Sequence, residues 1–74
     1  MTETNHANWR RRAVIDISKL DAKSIHYTSV FSMSRSDAEQ LRQLILEAIV
    51  AWRAMIPPSL EEDAICVNLD FFAI

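Results

Sequence analysis

Glycine is missing altogether from the 74 residues, where ordinary usage near ~7% would supply about five. A chain without glycine carries no phosphate loop, no GxGxxG dinucleotide fingerprint and no GxSxG nucleophile elbow. It also leaves few positions for left-handed backbone, because glycine is the default residue there. Cysteine is nearly as scarce. Cys66 stands alone, so no disulfide can close within one chain, and a lone thiol fits a reducing, cytoplasmic setting. No apolar run approaches the ~18 residues needed to span a bilayer. The polar start MTETNHANWRRR has no apolar core of a signal peptide. A formal net charge of −2 offers no global positive field to nucleic acid.

What the chain does have is apolar mass in a short length. Half of its residues are hydrophobic, too many for a disordered chain, and the length leaves room for a single small domain over residues 1–74. Domains of this size usually add a disulfide, a metal or a partner subunit. With the disulfide excluded and a metal poorly provided for, a second copy or a larger host protein is the expected supplement. The chain closes on NLDFFAI, and chain ends fray unless something ties them down. Two adjacent phenylalanines and a terminal isoleucine therefore raise the question of what covers them.

The most legible element follows SMSRSDAEQ. Ser34 stands three residues before Asp37 and Ser36 three before Glu39, so either pair makes a capping box. Ser34 is the better start, since Asp37 and Glu39 then sit near the positive end of the helix dipole. Leu41, Leu44, Ile45, Ala48, Trp52, Met55 and Ile56 recur at three- and four-residue intervals, the pattern of one buried helical face. Pro57-Pro58 ends it, which predicts a helix over roughly 36–56. Leu46 and Val50 fall among the polar positions of that helix and, four residues apart, are neighbours.

The β-branched and aromatic run SIHYTSVFSM predicts a strand over roughly 25–33, and AICVNLDFFAI predicts a second at the C-terminus. In the latter, Ile65, Val67, Leu69 and Phe71 form one apolar face. Cys66, Asn68 and Asp70 share the other with Phe72 and Ile74. Residues 7–19 fit two periods. As a helix, Trp9, Ala13, Ile17 and Leu20 line one side; as a strand, Ala13, Ile15 and Ile17 line up. The helical pattern extends over more turns and is preferred, with a strand pairing to 25–33 through LDAKS as the alternative. The expected fold class is α+β, in the order α-β-α-β. Its small sheet, of two strands or three, packs on the long helix and is completed by dimerisation. If neighbours, its two strands run parallel through a right-handed connection.

Chemistry-bearing constellations are thin. His6, His26 and Cys66 show none of the short paired spacing of a zinc site, and no cofactor is expected. Cys66 and His26 both fall on even strand positions, yet a reactive thiol needs an electropositive surrounding, and Asp70 is the charge expected on its face. Arg10-Arg11-Arg12 would fan across about 200 degrees of a helix. They are therefore expected to be solvated and to pair with acidic neighbours, of the same chain or of another subunit, rather than to form a nucleic-acid surface. Glu61-Glu62-Asp63 reads as a solvated turn.

The stretches NHANWRRRA, IHYTSVFSMS and PSLEEDAICVNLDFF resemble the C-terminal segment of an uncharacterised family of regulator-like bacterial paralogues. The family is numerous in predatory and fibre-degrading bacteria. The matching positions run in order through Asn5-His6, Trp9-Arg10 and Ala13, then His26 to Val30, Ser34 and Asp37, Pro58 to Glu62, and Leu69 to Phe72. Longer members resemble transcription factors with an N-terminal helix-turn-helix region. No such region precedes residue 5 here. The expectation is thus an excised domain, with Met1 added in cloning, or a truncated paralogue, and residues 1–4 are expected to be disordered or foreign to the domain. The resemblance implies no catalytic residue. The expected function is a non-catalytic dimerisation or regulatory domain, not an enzyme, with Phe72, Ile74, Leu46 and Val50 at the interface. It partners a second copy or the rest of a longer chain, and neither membrane nor nucleic acid. The alternative is a sensor that holds a small molecule between helix and sheet, lined by Trp52, Tyr27, Phe31 and Met33.

Overall fold

The computed structural model describes residues 3–74, which form two helices: α1 over Glu3–Ile17 and α2 over Arg35–Arg53. Among the described residues there is no strand and no sheet. The fold is all-α, and the α+β expectation, with its α-β-α-β order and its sheet completed by dimerisation, is corrected. The two segments expected to be strands run from 25 to 33 and from 64 to 74 without joining a ladder. The physical reason lies in what β-propensity measures. Val, Ile, Tyr and Phe favour a pleated surface that a neighbouring strand half-covers. Two strands alone are marginal in water even when they do pair. The composition of a segment therefore predicts that it will be extended, and not that it will find a partner.

The chain divides into two compact units. The first joins α1, the segment behind it through Ser29, and Ile65–Ile74; the second runs from Val30 to Ala64 and contains α2. Among the described residues no side chain is fully buried in either. Among the described residues no helix is long and apolar enough to cross a membrane.

In the first unit, α1 is helical where the sequence left helix and strand open, which removes the strand alternative over 13–17. Glu3 sits in the first turn, where a carboxylate complements the helix dipole. Residues 1 and 2, part of the stretch expected to precede ordered structure, lie outside the described residues. The far end tightens into a run of i→i−3 bonds: Ser18 N–H to Ile15 O at 3.2 Å, Lys19 N–H to Asp16 O at 3.0 Å and Leu20 N–H to Ile17 O at 3.3 Å. Leu20 then takes φ 54°. This left-handed position is the usual stop after a helix, and glycine normally holds it; with no glycine in the chain, a leucine bears the cost. Asp21 completes the turn, accepting Lys23 N–H at its carboxylate at 2.9 Å and Ser24 N–H at its carbonyl at 3.1 Å.

In the second unit, Ser34 caps α2. Its backbone is extended at φ −66°, ψ 156°, and its hydroxyl accepts the Asp37 N–H at 3.0 Å. Asp37 lies in the first turn and Arg53 in the last, each complementing the dipole at its end. The helix stops three residues short of the expected Ile56. Pro57 has no N–H to give the Arg53 carbonyl, and its ring would crowd that carbonyl. Arg53 O accepts instead from Ile56 N–H at 3.3 Å, while Met55 N–H reaches Trp52 O at 3.0 Å. The half-buried stripe of α2 consists of Ala38, Leu41, Ile45, Ile49 and Trp52. Leu44, Ala48, Met55 and Ile56, expected on the buried face, are exposed.

Candidate functional site

The densest set of long-range polar contacts lies in the first unit, where Arg10 on α1 holds the C-terminal segment. Its Nε donates to Asp70 Oδ2 at 2.6 Å, its Nη2 to the Leu69 carbonyl at 3.1 Å and its Nη1 to the His6 carbonyl one helical turn back at 3.0 Å. A second bond runs beside it, from Asn68 Nδ2 to the Trp9 carbonyl at 3.1 Å. The guanidinium fork is suited to this work. It offers five fixed donors, enough for a carboxylate and two carbonyls at once, where a lysine would present a single point charge.

The electrostatics follow the geometry. The hydrogen bond from Arg10, helped by the Arg10 charge and by His6 nearby, holds the Asp70 carboxyl below its usual range. Asp70 in turn raises Arg10, and the Cys66 thiol is close enough to add in the same direction. The structure thus puts Arg10 within electrostatic reach of Cys66, where the sequence pattern had placed only Asp70. Of the other arginines, Arg11 donates to Asn8 Oδ1 at 2.8 Å. The expected pairing of this cluster with acidic side chains is met by Arg10, within one chain.

A smaller polar knot closes the other end of α1. Asp16 Oδ2 meets His26 Nε2 at 3.0 Å. Hydrogen bonds from Ser24, then from His26, hold its carboxyl below the usual range. Serine, histidine and aspartate are all present, but both partners lean on the carboxylate. A nucleophilic relay needs the imidazole between hydroxyl and carboxylate; here the carboxylate is in the middle, an arrangement that fastens a turn. Cys66 is a free, exposed thiol. Among the described residues no group of three His, Cys, Asp or Glu could hold a metal ion.

The four expected interface residues are exposed. In the first unit, Phe72 is 76% and Ile74 fully accessible; in the second, Leu46 and Val50 both face solvent on α2. Sequence reasoning named Arg10 in its basic cluster and Asn68 and Asp70 on one face of the tail, but did not join them. A lone aspartate and asparagine in a greasy segment were the available signal. Nothing local tells which of eight basic side chains, some sixty residues away, would meet them.

Comparison with known proteins finds no matching family model, no matching curated protein and no matching solved structure.

Proposed function

We propose that this chain is a non-catalytic dimerisation module whose second copy covers Phe72, Ile74, Leu46 and Val50. The observation that carries the reading is the exposure of Phe72 and Ile74 in a chain that buries no side chain fully among its described residues. Each large apolar side chain taken out of water contributes about 1.5–3 kcal/mol. Two or more per subunit would supply much of what a domain of this size lacks. A homodimer is the common solution, because self-complementary contacts close the assembly. The regulator-like part of the reading rests on the resemblance of the three sequence stretches alone. It assigns the module to a larger regulatory protein in which a different segment would contact DNA. The sensor alternative placed its ligand between helix and sheet, and no sheet is formed among the described residues.

The test is sedimentation equilibrium at micromolar concentration. A dimer is expected, with Phe72→Asp shifting it to monomer while α2 keeps its helical signal. A monomer in the unsubstituted chain across the range overturns the reading.

A further inference from the structure

We propose that Arg10 is the closure of an electrostatic strap: it clasps Asp70 and the Leu69 carbonyl, so that the last residues lie along α1 with Phe72 and Ile74 turned outward. Three hydrogen bonds join α1 to this segment: 2.6 Å to Asp70, 3.1 Å to Leu69 O and 3.1 Å from Asn68 to Trp9 O. The segment makes no ladder and buries no side chain fully, so neither backbone pairing nor a sealed core secures it. Both members of the ion pair are wet, at 30% and 52% side-chain exposure. Exposed pairs are weak and are screened by salt. The strap therefore depends on contacts that a change of charge or of salt weakens. The other titratable groups beside the Arg10–Asp70 clasp are His6 on the same helix and Cys66 on the strap.

The consequence deepens the dimerisation reading and rests on it. A closed strap offers the Phe72 and Ile74 tip in one orientation. An open strap must be ordered again at the moment of association, which lowers affinity. Charge on Arg10 and Asp70 thus regulates self-association without either residue entering the interface.

The test uses the full chain, with 15N relaxation reporting the strap and sedimentation reporting the dimer. In the native chain at low salt, residues 68–72 should have order parameters near the rigid value of ~0.85, and the Arg10 Nε–H should exchange slowly. Asp70→Asn, or 1 M NaCl on the native chain, should drop those order parameters below ~0.6. Self-association should weaken roughly three- to tenfold, while residues 41–52 of α2 keep their values. Asp70→Glu should restore part of the order. A native strap already below ~0.6, or one that neither Asp70→Asn nor salt moves, overturns the proposal. A monomeric chain whose strap responds as expected sustains the clasp and defeats dimerisation; a dimer with an indifferent strap does the reverse.

Discussion

Replacing Ser34 by alanine removes the hydroxyl that accepts the Asp37 N–H at 3.0 Å and leaves one of the four orphan donors of α2 without a protein partner. Losing a serine cap costs about 0.5–2 kcal/mol. Ser34 is exposed, so water can take over the freed N–H, and the lower half of that range, ~0.5–1 kcal/mol, is the expectation. An isolated helix becomes marginal below about 12–15 residues; α2, at 19 residues, is close enough to that limit for such a loss to be visible. A domain of this length should lose roughly 3–6 °C of melting temperature, followed at 222 nm by circular dichroism at fixed concentration. Two companions make the experiment specific. Ser34→Gly should cost only a few tenths of a kcal/mol. Ser36→Ala should be neutral or slightly stabilising, because Ser36 lies inside the helix, where alanine is the better residue. If Ser36→Ala proves the costlier change, the helix starts elsewhere and the capping assignment is wrong.

Two further outcomes are expected. Leu20→Gly should raise stability by about 0.5–1 kcal/mol, since a residue with a Cβ is strained at φ 54° and glycine is not. The leucine side chain is 88% exposed, so its removal forfeits little burial, and a lower urea midpoint for the variant would refute this. On acidification, Asp70 and Asp16 set the response. Both have carboxyl groups held below the usual range, so each contributes stability that is fully present above the unfolded value of about 3.9. That stability is lost as pH falls through the lower folded value. Strap order measured between pH 7 and 3 should stay level to about pH 5 and decline below pH 4; a decline beginning near pH 6.5 would point to a histidine instead.

Legibility from sequence tracked how local the responsible physics is. The Ser34 cap, the amphipathic run behind it and the stop before Pro57-Pro58 were all readable. Each depends on residues within one or two turns of each other. The exact stripe was not. Ile49 is half-buried and was passed over, while Leu44 and Ala48, which fit the same spacing, are exposed, because periodicity marks an apolar sector and not its centre. The missing glycine correctly announced a chain with little left-handed backbone: Leu20 is the one non-glycine residue with positive φ among those described.

The sheet shows the other limit. Residues 25–33 and 64–74 carry strand composition and join no ladder; a strand exists only when a second backbone supplies one. The Arg10 clasp shows it again, joining residues sixty positions apart in the chain.

By itself, then, the sequence determined the cap from which helix α2 starts and that it stops before Pro57-Pro58, which ordinary phosphate and nucleophile motifs are impossible, and that apolar side chains are in excess. Only the tertiary structure decided that the segments of strand composition stay unpaired, that the C-terminal residues are fastened to α1 by Arg10 and Asn68, and that Phe72 and Ile74 face outward. The division follows from range. Capping, propensity and proline act over a few bonds, whereas pairing and exposure depend on which distant atoms the folded backbone brings within about 3 Å of each other.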